Sequence, residues 1–284
     1  MWIWLVLLYG ILKGLREVAK KKSLEKSSVI EVLFFYTLIG FIMVIPGAFH
    51  MGAMPIPYYF YIAVKSFVIF IAWICSFKAI KKLPISVYGI FDLSRVLFAT
   101  LLGVFVLGET LGVYQLAGLI LVCVGLLLLR IRPWKREKTE EEKTEICFIL
   151  LAFASCLLNA VSGLLDKILM KEINSSQLQF WYMLYLVLFY LVYLLLSKTK
   201  VNIKATLQNY WIWILSLMFV IGDKALFVAN GMPESRITVM TLIKQSGCII
   251  SILAGKFIFK EKGIRHKILC AAIIIAGIVI SVMD

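Results

Sequence analysis

Charged side chains are few inside the apolar runs of this 284-residue chain, and those that do occur there stand at helical spacings. Asp92 and Arg95 are three residues apart and share a helix face, so they either neutralise one another locally or present a cation to a ligand. Lys244 and Gln245 lie together in a later run. Asn159, Ser162 and Asp166 fall at i, i+3 and i+7, a polar stripe on one face, and Lys13 and Glu17 make a similar stripe in the first run. Lys65 stands in the third run. Asp223 and Lys224 are adjacent, about 100° apart around a helix, so at least one of them needs a partner on another helix.

A charge at membrane depth must be paired, lie at an end, or face a wet cavity. The chemistry open to this set is therefore binding and charge compensation. Arg95, Lys244, Asp92, Gln245, Asn159 and Lys65 are the candidate substrate contacts, with Trp73 as an aromatic wall. Glu17, Asp166 and Asp223 are the candidate coupling groups, because burial can turn a carboxyl into a proton carrier. Glu17 beside the first basic loop and Asp166 near the end of its run read equally as interfacial residues. Lys13, Lys65, Arg95, Lys224 and Lys244 outnumber Glu17, Asp92, Asp166 and Asp223, which tilts the expected substrate toward an anionic group. Trp73, Trp181, Tyr182, Tyr185, Tyr88 and Trp213 offer the opposite, a stack for an apolar or cationic solute. The aromatics between Phe180 and Tyr193 surround their helix on nearly all sides, so many of those face lipid.

Enzymatic constellations do not occur. There is no GxSxG, no HExxH, no paired acidic motif with an adjacent glycine and no P-loop lysine, so an enzyme is not expected. Cys75, Cys123, Cys147, Cys156, Cys248 and Cys270 never form a CxxC, and His50 and His266 are isolated; neither a metal nor another cofactor is expected.

The elements that must position these residues are membrane helices. The chain is 62% hydrophobic with mean hydropathy +0.96, more apolar surface than a soluble core can bury. Ten runs approach the roughly 20 residues that cross a bilayer. They lie at about 2–18, 29–48, 58–80, 85–107, 112–130, 146–169, 177–196, 210–230, 236–257 and 267–283. Met1-Trp2-Ile3-Trp4 lacks a basic n-region, so the first run is expected to be retained. The net charge of +14 sits in short clusters between runs and signals topology, not nucleic-acid binding. Lys and Arg collect in odd-numbered loops, from Arg16, Lys20, Lys21, Lys22 and Lys26 to Lys260, Lys262, Arg265 and Lys267, whereas even-numbered loops hold Lys171 and Arg236. That bias puts residues 131–145, a mixed-charge linker, in the cytoplasm and both termini outside a plasma membrane.

The two halves, 1–130 and 146–284, resemble one another. Gly14-Leu15 and Glu17 match Gly163-Leu164 and Asp166 at an offset of about 149. Gly103, Phe105, Glu109 and Gly125 match Gly255, Phe257, Glu261 and Gly277 at about 152, which pairs Lys244 with Asp92. An odd number of spans per half makes the repeat inverted. Gly10 and Gly14 form a GxxxG packing face, and Glu109 and Glu261 follow the fourth helix of each half, where a carboxylate can hold backbone donors at the start of the next helix.

Ala79-Ile80-Lys81-Lys82-Leu83-Pro84-Ile85-Ser86, then Leu107-Gly108-Glu109-Thr110-Leu111 and Gln115-Leu116-Ala117-Gly118, resembles the signature of the EamA-like branch of the drug/metabolite transporter superfamily. Pro233, Gly255-Lys256-Phe257-Ile258-Phe259-Lys260-Glu261 and Gly277 echo it, with Lys267 where the first half has Gln115. The resemblance implies an all-α, ten-helix, five-plus-five inverted-repeat carrier with a cavity lined by helices 1, 3, 4, 6, 8 and 9. The expected function is alternating-access transport of a small polar or amphiphilic metabolite by a monomer, with a coupling proton or ion as an option. A flippase for a lipid-linked metabolite and an exporter of neutral or cationic amphiphiles are the alternatives.

Overall fold

The structure is a computed structural model that describes residues 2–107, 112–130, 140–197, 201–232, 240 and 243–280, with side chains at all of these except 48–50, 103–107, 115, 129–130 and 140–145. The described residues are 86% helical, with no strand among them. The helices are α1 (Trp2–Ser23), α2 (Val29–Val44), α3 (Ile56–Lys82), α4 (Ile85–Asp92), α5 (Ser94–Leu107) and α6 (Val113–Arg130). There follow α7 (Glu140–Leu169), α8 (Ser175–Leu196), the short α9 (Ile203–Leu207), α10 (Tyr210–Asn230), α11 (Gly247–Phe257) and α12 (Ile264–Ile280). Six stretches among the described residues are long and apolar enough to span a bilayer: Val29–Gly47, Ile56–Lys82, Ile85–Leu102, Ile146–Leu169, Ser175–Leu196 and Tyr210–Asn230. Leu116–Leu128 and Gly247–Phe257 are apolar but shorter.

The helix starts follow local chemistry. Ser28 and Glu31 form a reciprocal capping box at α2, and Asn174 and Gln177 form another at α8. Glu31 also accepts from the Asn202 N–H at 3.0 Å. Pro57 stands in the first turn of α3, where a missing N–H costs nothing.

The main packing partners join helices before residue 131 to helices after 139: α1 with α10, α3 with α7, α6 with α12, α2 with α8 and α4 with α11. Small residues let these backbones approach. A Cβ on Gly14 would lie 2.7 Å from the Gly247 carbonyl, and one on Gly277 would lie 2.7 Å from that of Gly118. The expected GxxxG face of α1 therefore packs on Gly247, where apolar side chains alone would hold the helices apart.

Loops collect by parity. At one end Lys21 reaches the Leu83 carbonyl, Asn209 donates to the Ser23 carbonyl at 3.0 Å, and Lys22 lies over the Phe259 ring. At the other, Asn174 and Gln177 donate to the carbonyls of Met51 and Ala53.

Several boundaries differ from expectation. The first helix runs on to Ser23, so Arg16, partly buried, and Lys20, buried, are helix residues and not loop charges. Its charges are also why α1 falls outside the six apolar spans. Residues 140–145, expected in the linker, already belong to α7, and 131–139 lie outside the described residues. The run at 85–107 is two helices, interrupted at Leu93, and the run at 236–257 is interrupted at Gln245–Ser246. Glu261 does not cap the following helix. It accepts from the Ile85 N–H at 2.6 Å, from the Ser86 hydroxyl and from Lys267 at 2.9 Å, so it caps α4 in the other half. Glu109, in 108–111, and the Gln115 side chain lie outside the described residues.

Candidate functional site

The two interruptions have the same construction. At the first, Leu93 N–H bonds to the Ile90 carbonyl and Val96 N–H to the Leu93 carbonyl; at the second, Ser246 bonds to Ile243 and Cys248 to Gln245. These are i→i+3 turns. Leu93 at φ −64, ψ −25 and Ser246 at φ −53, ψ −27 have 3₁₀-like backbones. Leu93 and Gln245 are 152 residues apart, the offset at which Gly103 and Gly125 match Gly255 and Gly277, so the helix winding tightens at positions that the same offset aligns. Around them stand Asp92, Ser94 and Arg95 on one side and Lys244, Gln245 and Ser246 on the other.

Asp92 is the hub. Its Oδ1 takes Arg95 Nη2 at 2.8 Å and its Oδ2 takes Lys13 Nζ at 2.5 Å. Lys13 also donates to Gln245 Oε1 at 3.3 Å, so one ammonium on α1 ties the two interruptions together. One turn along α1, Arg16 meets Asp223 of α10 at 2.9 Å and lies over the rings of Tyr9 and Phe219. Lys20 pairs with Glu17 at 2.7 Å and lies over Phe77. Across the bundle Lys65, 2% exposed, sits 3.1 Å from Asp166. Its ammonium is 3.3 Å from the Tyr182 ring centroid, and the contact with Asp166 is ionic without hydrogen-bond alignment.

What remains unsatisfied is informative. Among the described residues these six groups, Lys13, Arg16, Lys20, Lys65, Arg95 and Lys244, face four carboxylates, Glu17, Asp92, Asp166 and Asp223. Asp92 is shared by two cations, and Lys244 has no hydrogen-bond or ion-pair partner among the described residues; its charged neighbours are Asp166, Lys13, Arg95 and Asp223. Arg95 Nε and the Ser94 and Ser246 hydroxyls are buried without a hydrogen-bond partner of oxygen or nitrogen, Ser94 having only the Cys156 thiol beside it. Buried donors left unmade cost about 1–3 kcal/mol each. A ligand with several oxygen acceptors would relieve them.

The expected candidates therefore separate. Asp92, Arg95, Lys244 and Gln245 converge on the interruptions. Asp166 and Lys65 meet as a pair on α7 and α3, and Asp223 finds its partner on another helix, as its position beside Lys224 required. Glu17 is buried and paired, not interfacial. Asn159 donates to the Ser155 carbonyl of its own helix at 2.8 Å. Trp73 is 9% exposed and packed against Tyr36 and Phe219, a structural member of the core. Trp213 is 45% exposed. Sequence reasoning missed Arg16, whose place beside Lys20–Lys22 resembled loop charge, and it missed Ser94 and Ser246, although the 152 offset pairs them. No group of His, Cys, Asp and Glu among the described residues could hold a metal ion.

The described residues form a bundle of apolar helices with charged groups gathered at broken segments. Residues 1–131 match the model of the EamA-like transporter family, which lies within the drug/metabolite transporter superfamily. A protein solved by crystallography is similar over 98% of this chain and 95% of its own, with TM-score 0.68 and 16% identity, a likeness of fold alone. No curated protein matches the sequence.

Proposed function

We propose that this protein is a secondary carrier for a small metabolite bearing an anionic group, bound between the two helix interruptions and moved by alternating access. The observation that carries this reading is the unsatisfied set at the interruptions: Asp92 shared by Arg95 and Lys13 and, among the described residues, Lys244 without a partner and the Ser94 and Ser246 hydroxyls without a hydrogen-bond partner of oxygen or nitrogen. Broken helices that meet near the centre of a bundle are a recurrent way to build a carrier's site, because freed backbone groups and half-helix ends face the ligand. A cationic solute is disfavoured because the faces of Tyr182, Phe219 and Phe77 already carry Lys65, Arg16 and Lys20.

The inverted repeat of five plus five spans is supported by the packing. Exchanging the halves turns α1 with α10 into α7 with α3 and leaves the other three pairings unchanged. In this reading 1–130 and 146–284 are the two units and 131–145 joins them. The end that carries Lys21, Lys22, Lys81, Lys82, Lys260 and Lys267 faces the cytoplasm of a cell with both termini outside. A cysteine placed at Lys138 should resist impermeant thiol reagents in intact cells; labelling there would reverse the orientation.

The functional test is a thermal-stability screen of purified protein against carboxylates, sugar phosphates, neutral sugars and organic cations, since a site-specific ligand stabilises by mass action. Stabilisation by an anionic class, absent in Lys244→Gln, is expected. Stabilisation by cations alone, undiminished in Lys244→Gln, would overturn the proposal.

A further inference from the structure

A cavity lies away from these charges, between α1, α2, α8 and α10, with a volume of about 470 Å³. Its wall is apolar along Leu5, Leu8, Val44 and Val220. Its rim opens outward through Leu8, Met43 and Ile221, exposed by 40%, 38% and 44%, an apolar surface of the kind that suits acyl chains. Lys224 is the cation in its lining. The ammonium donates to the Ser175 and Ser176 hydroxyls at 3.1 and 2.8 Å and has no carboxylate partner among the described residues. These serines open α8, beside the contacts of Asn174 and Gln177 with the 51–53 loop, so the charged corner stands at one end of the bundle, at the level where lipid headgroups lie.

We propose that this groove binds a phospholipid with an anionic headgroup, one acyl chain in the apolar trough and the phosphate on Lys224 and the two hydroxyls. The charge complementarity is specific: an ammonium held by neutral hydroxyls keeps its full charge for a ligand, and a basic residue at the headgroup level favours anionic lipid. The apolar trough requires a chain as well as a phosphate. The inference does not depend on the carrier's substrate.

The test titrates purified full-length protein with phosphatidylglycerol and with phosphatidylcholine of identical chains, read by native mass spectrometry. Phosphatidylglycerol should bind about fivefold more tightly, the effect of one basic residue near the surface. Lys224→Gln should abolish the preference and Lys224→Arg should keep it. Gly47 lines the groove, and a Cβ there meets nothing within 4 Å, so Gly47→Leu should fold normally and weaken both lipids. Inorganic phosphate should not compete. Equal affinity for the two lipids, a preference that survives Lys224→Gln, unchanged binding in Gly47→Leu, or competition by inorganic phosphate would each overturn the proposal.

Discussion

Asp92 holds two cations from two helices, and this changes what the loss of either partner should do. Arg95→Gln leaves the carboxylate still paired with Lys13, so the protein should fold with nearly unchanged thermal stability. Asp92→Asn leaves Lys13 and Arg95 facing each other without a counter-charge, and breaking a buried pair in this way costs about 3–5 kcal/mol. Thermal unfolding in detergent separates the two variants; equal melting temperatures would show that Asp92 is no hub. The i, i+3 spacing made the Asp92–Arg95 pair legible in the sequence, and the adjacency of Asp223 and Lys224 made a distant partner necessary. Neither spacing could name Lys13 or Arg16 as that partner, because which helix faces which is decided by tertiary packing.

At the scale of the element, the close approach of α1 to the segment around Gly247 fixes the position of Lys13. A Cβ on Gly10 would lie 2.4 Å from Ser246 Oγ and 2.8 Å from the Ile243 carbonyl, and the carbonyl cannot swing aside. Gly10→Ala should therefore cost about 1–3 kcal/mol by overpacking. Gly163→Ala, where nothing lies within 4 Å of the new methyl, should be neutral or stabilising because alanine favours the helix. Comparable losses of melting temperature in the two would contradict this packing. The GxxxG was visible in sequence. The interruption at Leu93 was not, since neither glycine nor proline stands there and the polar residues beside it, Asp92, Ser94 and Arg95, are compatible with an unbroken helix. Two ion pairs, Arg16–Asp223 and Lys65–Asp166, join α1 to α10 and α3 to α7. The two pairs have opposite polarity, the cation standing on α1 in the first and the carboxylate on α7 in the second.

For the whole molecule, composition and run lengths announced a helical membrane protein, and matched glycines announced two related halves. The site's location was only partly legible: the 152 offset aligned Lys244 with Asp92, but the shared turn geometry and the orphan serines emerge only when the chain is folded. A carrier of the proposed kind has a cationic, water-reachable site between the two interruptions. The most direct measurement places a cysteine at position 244 in a background with the six native cysteines replaced, and compares its reaction rates with anionic and cationic thiosulfonates of similar size, each referred to free thiol. Arg95 and Lys13 remain in that variant, so the anionic reagent should react about tenfold faster, as roughly 1.4 kcal/mol of attraction would give. A faster cationic reagent, or a position that neither charged reagent reaches, would contradict the account.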